Sequence, residues 1–150
     1  MDPSLRLVLG IAMRWLHIVS IVTILGGFVF VRFALYPALN EAAEPGGSGM
    51  GPNIAAKFRA VLYTAVAGAL LSGFYNYLTK PSYPRGYHMW LGIKILFALH
   101  VFAASILYAL PGAAEAKRSR WALGIVVSGA VIVLISAYLR WISLNPPPIQ

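Results

Sequence analysis

One apolar run, from about Leu7 to Tyr36, constrains this chain more than any other feature. A helix of about 20 apolar residues is long enough to cross the ~30 Å hydrocarbon core of a bilayer, and this run is longer. It nevertheless contains His17 and Arg32. Polar side chains are costly in hydrocarbon, so those inside membrane helices usually serve a function. The run therefore predicts a transmembrane helix whose polar side chains have a role.

The composition also indicates a membrane protein. Of the 150 residues, 59% are hydrophobic and 11% are charged, whereas soluble domains contain roughly 25% charged residues. The formal net charge is +8, but the cations flank apolar spans, which favours contact with anionic lipid headgroups over binding of nucleic acid. The chain has no cysteine, which excludes disulfides, thiolate metal sites and a cysteine nucleophile.

Three further apolar segments predict three further membrane helices. The first helix should end at Tyr36, because the residue before a proline is disfavoured in a helix. The predicted spans are about 10–36, 55–79, 88–110 and 120–142. Short connections make neighbouring helices antiparallel. We therefore predict an all-α fold, an integral membrane antiparallel four-helix bundle, in a single transmembrane domain of residues 1–150 with no internal repeat.

The polar side chains within the spans are the candidate functional residues. One face of the first helix carries Met13, His17, Ser20, Ile24 and Val31, with Arg14 and Arg32 on its flank. We expect His17 to face the interior of the bundle, together with Met13, Ser20 and Gly27. The third helix adds Lys94 and His100. The second helix carries a row of small and polar residues suited to close helix contact: Thr64, Gly68, Ser72 and Asn76.

Arg32 needs a partner wherever it lies, because its guanidinium does not lose its proton. We expect it to bond backbone carbonyls or Tyr and Asn side chains near the membrane edge, with Glu41 and Glu44 as further partners. No Asp or Glu lies within a predicted span. Proton-relay pumps and cation antiporters generally need such carboxylates, so the sequence argues against these classes.

The arrangement of residues in the first helix resembles the copper-resistance CopD family. His17 is followed by Gly26-Gly27 with Phe30, and then by Pro37-Ala38-Leu39, as in that family's first helix. Arg59, the Ser72-Gly73 pair and Lys94 resemble its second and third helices. HemJ-type protoporphyrinogen oxidases are similar in another set of residues: His17, Gly26, Arg32, Tyr36, Trp90 and Lys94. The resemblance implies a bacterial inner-membrane protein, with copper handling as one function and a HemJ-like oxidoreductase activity as another.

Three functions follow from these residues. The first is binding of haem b between helices one and three, in a redox or haem-handling role. His17 and His100 would ligate the iron, because paired imidazoles are a usual way for a bundle to hold haem. Arg14 could meet a propionate, and Gly27 would make room for the macrocycle. Lys94 and Arg32 join this set through the HemJ-type resemblance.

The second function is copper handling. Met13 and His17 lie one turn apart on the same face, and a thioether with an imidazole suits Cu(I). The third is an accessory membrane subunit without a ligand, whose histidines only bond to neighbouring helices. The expected partners are the lipid bilayer and either a redox protein or a second copy of the chain, with no nucleic acid.

Overall fold

The structure is a computed structural model, and it describes residues 2–41, 50–80, 83–84, 86–110 and 115–145, with side chains over 2–38, 57–80, 83–84, 86–110 and 117–145. The regular elements are α1 (Pro3–Phe30), a π-helical segment (Val31–Leu35), α2 (Tyr36–Glu41), α3 (Met50–Leu78), α4 (Tyr87–Ala109) and α5 (Glu115–Leu144). No strand occurs among the described residues, which confirms the all-α prediction.

Four helical segments are long and apolar enough to cross a membrane: Pro3–Ala38, Lys57–Leu78, Tyr87–Ala109 and Lys117–Leu144. Their number and order agree with the four predicted spans. Large apolar side chains remain on their outer surfaces, and Leu71 and Leu134 are 68% and 69% exposed. Soluble monomers rarely expose so much contiguous apolar surface, whereas lipid-facing helices require it.

The first helix begins earlier than predicted, at Pro3. Asp2 is its N-cap, and the side chain of Asp2 accepts hydrogen bonds from the backbone N–H and the hydroxyl of Ser4, at 3.0 and 2.8 Å. These bonds favour the carboxylate and lower the pKa of Asp2 below its ordinary value. A proline at the first helical position has no N–H to leave unpaired, so the start is well formed.

The predicted end of this helix at Tyr36 is wrong, because the chain stays helical as far as Glu41. The π-helical segment explains the difference. Its wide turn carries a hydrogen bond from the N–H of Tyr36 to the carbonyl of Val31, five residues back. Pro37 cannot donate a hydrogen bond, and its ring would clash with the carbonyl four residues earlier in a regular α-helix. A wider turn relieves that clash, so the helix passes through the proline.

The chain forms two compact units, one built from α1, the π-helical segment, α2 and α3, and the other from most of α4 together with α5. In the first unit, the amide of Asn76 donates to the carbonyl of Met13 at 3.4 Å. At the other end of the same pair, the rings of Phe28 and Phe58 lie edge to face, with centroids 5.6 Å apart. These contacts show that α1 and α3 are an antiparallel hairpin.

The second unit is also an antiparallel hairpin. Trp90, near the start of α4, packs edge to face on Tyr138, near the end of α5, with centroids 5.1 Å apart. At the same end, Lys80 donates to the hydroxyl of Ser143 at 3.0 Å and lies 3.7 Å from the ring centre of Tyr87. Within each unit the helix order is therefore as predicted. The assembly of all four spans into a single domain stays a prediction.

Candidate functional site

The imidazole of His17 lies in the contact between α1 and α3. Its Nδ1 is 3.2 Å from the backbone carbonyl of Ala69 and 3.1 Å from the hydroxyl of Ser72. The ring also lies against Gly73, where a Cβ atom would stand 3.2 Å from the ring Cε1. The residue is half-buried. His17 is therefore held at a fixed place on α3 rather than turned away from the helix pair.

These contacts decide which ring nitrogen carries the proton. A backbone carbonyl only accepts hydrogen bonds, so Nδ1 of His17 must be the donor to Ala69. The hydroxyl of Ser72 donates to the carbonyl of Gly68 and can accept from the same Nδ1–H. In a neutral ring with this hydrogen bond, the lone pair is on Nε2. An imidazole that donates through one nitrogen to a carbonyl and offers the other to a metal is the usual arrangement in metal sites.

The face of α3 that receives His17 is built from small residues. Ser72 is fully buried, and a Cβ atom at Gly68 would stand 2.6 Å from the hydroxyl of Ser20. Two helices can approach this closely only where a residue has no side chain, as at Gly68. Gly68, Ser72 and Asn76 of the predicted row therefore face α1. Thr64 does not, because it is exposed and bonds the Ala60 carbonyl of its own helix.

Three of the other predicted residues of the first helix lie on the face that meets α3, and one does not. Met13 and Ser20 lie on the face that meets α3, as predicted, and Met13 is half-buried while Ser20 is buried. Gly27 lies on that face too, but the space beside it is filled by the ring of Phe58, 2.8 Å from the position of a Cβ atom. Gly27 therefore makes room for a protein side chain. Arg14 is exposed.

Arg32 lies far from His17. At about 1.5 Å per residue, the two are separated by about 22 Å along the helix, which is longer than a haem group. Arg32 therefore does not belong to the His17 site. Its Nε is buried and has no hydrogen-bond partner among the described residues. The expected bonds to carbonyls, Tyr or Asn are not found in that part of the chain, and the side chains of Glu41 and Glu44 lie outside the described residues.

In the second unit, His100 occupies a position like that of His17. Its Nδ1 is 2.9 Å from the hydroxyl of Ser128 on α5, and a Cβ atom at Gly124 would stand 3.4 Å from its Cε1. Unlike His17, His100 is exposed. No described residue forms a hydrogen bond with its Nε2. Lys94, one and a half turns earlier in α4, is half-buried.

The residues that the sequence reasoning missed are Ser128 and Gly124. A repeated pattern was the available signal: Gly68-x-x-x-Ser72-Gly73 in α3 recurs as Gly124-x-x-x-Ser128-Gly129 in α5. In both hairpins the serine of this pattern meets Nδ1 of a histidine on the preceding helix. Three residues at the same spacing are a shared local pattern, and the absence of a larger internal repeat stays a prediction.

Among the described residues, no group of three or more His, Asp or Glu side chains could hold a metal ion. A haem iron needs only two axial ligands, so this finding does not bear on haem. Comparison of the chain with protein-family models, with curated proteins and with solved structures yields no match. The resemblance to CopD-type and HemJ-type proteins therefore stays a prediction from the residues named above.

Proposed function

We propose that this chain is an integral membrane protein, a bundle of four antiparallel transmembrane helices that binds haem b through His17. Membrane insertion is supported by the four long apolar segments and by their exposed apolar surfaces. Within each hairpin, small residues and serines mediate the helix contact. Such residues are favoured where lipid-facing helices pack closely.

The observation that carries the haem proposal is the hydrogen bond from Nδ1 of His17 to the carbonyl of Ala69. It favours the tautomer that carries the proton on Nδ1 and it orients the ring, as outer partners do for histidine ligands of metals. The hydroxyl of Ser72 reinforces this orientation. When bound, haem would supply one-electron redox chemistry. This chain's part is to hold the proton on Nδ1 and to present Nε2.

His100 is the proposed second axial ligand. Its Nδ1 is anchored by Ser128, in the way that Ser72 anchors His17. Haem-binding bundles commonly hold the group with two histidines, and His17 and His100 would be those residues. Haem chemistry of this kind fits an electron-transfer or haem-handling role, and the resemblance to HemJ-type proteins points in the same direction.

Copper(I) binding by Met13 and His17 is the second candidate. The observation that favours it is the hydrogen bond from the amide of Asn76 to the carbonyl of Met13. This bond holds the helical turn that precedes His17. A half-buried thioether and the Nε2 lone pair of an imidazole are a ligand pair that Cu(I) accepts.

Purification from haem-supplied cells, followed by an absorption spectrum, tests the proposal. We expect a Soret band in the wild type and its loss in His17→Ala. In His100→Ala we expect either loss of haem or a five-coordinate spectrum. His88→Ala is the matched control, because His88 is exposed and should keep the wild-type spectrum. Ser72→Ala should weaken haem retention by about 10–100-fold, as is typical for loss of an outer partner of a metal ligand.

Three results would separate the candidates. Haem binding that persists in both His17→Ala and His100→Ala would exclude the pair as ligands. Absence of haem, with Cu(I) binding that is lost in Met13→Leu and in His17→Ala, would establish the copper function instead. A chain that binds neither would be the ligand-free accessory subunit.

A further inference from the structure

Two arginines at the far end of the first hairpin each have a buried Nε without a hydrogen-bond partner among the described residues. Arg32 lies in the π-helical segment, and Arg59 lies in α3 near the start of its apolar span. Both residues are half-buried. The guanidinium of Arg32 lies 5.7 Å from the ring centre of its neighbour Phe33.

The packing of the hairpin brings these two arginines to the same place. The ring contact between Phe28 and Phe58 fixes the level at which α1 and α3 meet. Arg32 follows Phe28 by one turn, and Arg59 follows Phe58 directly. Because the helices are antiparallel, the two arginines lie about 7 Å apart along the axis, and at about 100° per residue both project from the same flank of the hairpin.

Two guanidinium groups at the same end of one hairpin attract an anion. Neither loses its proton, and like charges in a poorly solvated place repel each other. The chain has only four acidic residues. Asp2 is at the opposite end of α1, and Glu115 is in the other unit. The side chains of Glu41 and Glu44 lie outside the described residues, so the described side chains at this end of the first hairpin include no carboxylate.

The position of the pair indicates which anion it would bind. Arg32 is near the end of the segment Pro3–Ala38, and Arg59 is near the beginning of the segment Lys57–Leu78. Lys57 adds a third cation at the same end. In a bilayer this is the level of the headgroups, where phosphate is the abundant anion. The planar fork of a guanidinium matches the oxygens of a phosphate group in a bidentate manner.

We propose that Arg32 and Arg59 form a phosphate-binding site at this end of the α1/α3 hairpin. The ligand is a phosphate oxyanion, supplied by a phospholipid headgroup or by a free phosphate ion. The distance of about 22 Å along α1 between Arg32 and His17 makes this site independent of the His17 site.

Thermal unfolding of delipidated protein in a neutral detergent tests the proposal in two arms. Inorganic phosphate is titrated in one arm and a short-chain phosphatidylglycerol in the other. We expect a saturable rise in unfolding temperature in at least one arm, with about tenfold weaker binding in Arg32→Gln and in Arg59→Gln. Arg140→Gln is the control, because Arg140 is exposed on α5 and should respond like the wild type.

Conservative variants keep the test informative if a glutamine variant does not fold. Arg32→Lys and Arg59→Lys retain the charge but lose the fork, so binding should weaken less than in the glutamine variants. A response to the lipid alone assigns the site to a headgroup, and a response to both ligands assigns it to the phosphate group itself. The haem spectrum of Arg32→Gln should equal that of the wild type, which separates a failure here from a failure of the haem proposal.

Three outcomes would overturn the proposal. The first is that neither ligand stabilises the wild type in a saturable manner, and the second is that both glutamine variants respond as the wild type does. The third is that phosphate stabilises only the Glu41→Gln/Glu44→Gln double variant. That result would show that acids of the following segment already occupy the arginines.

Discussion

Replacing Gly27 with alanine should destabilise the protein, although alanine is the better helix former. A Cβ atom at this position would stand 2.8 Å from Cε2 and 3.0 Å from Cζ of Phe58. Both atoms belong to a rigid ring, so the ring must move as a whole. That ring packs edge to face on Phe28, which is fully buried. The neighbouring Gly26 has nothing within 4 Å of the same position and provides a matched control.

The magnitude follows from three contributions. Forcing a methyl group into a packed contact costs about 1–3 kcal/mol. Loss of the edge-to-face contact between Phe28 and Phe58 adds about 0.5–1.5 kcal/mol. Replacement of a helical glycine by alanine returns about 0.8–1.0 kcal/mol. The last contribution is common to both glycines, so Gly27→Ala should be less stable than Gly26→Ala by about 1.5–4.5 kcal/mol.

Unfolding of the purified variants in mixed micelles, with a denaturing detergent and far-ultraviolet circular dichroism, measures this difference. A double-mutant cycle with Phe58→Ala isolates the steric cause. In the Phe58→Ala background the clash is absent, so Gly27→Ala should be stabilising, as Gly26→Ala is. Equal stabilities of the two single glycine variants would refute the reasoning. A cost of Gly27→Ala that persists without the Phe58 ring would refute it as well.

Three further predictions concern single contacts. Ser128→Ala should destabilise the protein by about 0.5–1.5 kcal/mol, because Nδ1 of His100 loses its partner; the same unfolding assay measures this change. Lys80→Met should cost about 1–2 kcal/mol, since it removes the bond to Ser143 and the contact with an aromatic face, while Lys80→Arg should cost less. The lowered pKa of Asp2 means that its capping of α1 is complete above the ordinary carboxyl pKa and is lost as the pH falls through the lowered value; a titration of the amide chemical shift two residues later, by nuclear magnetic resonance, should show this midpoint.

Hydropathy was sufficient to predict the helices of this fold. Long apolar runs between polar or Gly- and Pro-rich segments gave four spans, and the structure has four helical segments of that character. A membrane span is recognised from the composition of a continuous segment, which the sequence shows directly. The predicted ends of the helices were less accurate. The local rule at Tyr36 favoured a helix end, whereas a wider turn allowed the helix to continue.

The partners of the polar side chains were harder to predict. Helical periodicity placed His17 on the correct face, and the small-residue row that contains Ser72 was recognised. The pairing of His100 with Ser128 was not predicted, because helical periodicity identifies one face of a helix but not which other helix packs against it. The expected roles of Gly27 and Arg32 depended on distances across and along the helices. Those distances follow from the level at which Phe58 packs, which the sequence does not state.

The π-helical segment has a consequence for comparing this chain with others. A π-turn contains one residue more than an α-turn, so Val31–Leu35 is geometrically a one-residue insertion absorbed within a continuous helix. Every residue after it is rotated by about 100° relative to an uninterrupted α-helix. A relative with a regular first helix would match this chain up to Phe30 and then only after a gap of one position. Deleting one residue from the segment should restore a regular helix and keep Tyr36 and Pro37 on the faces that they occupy now.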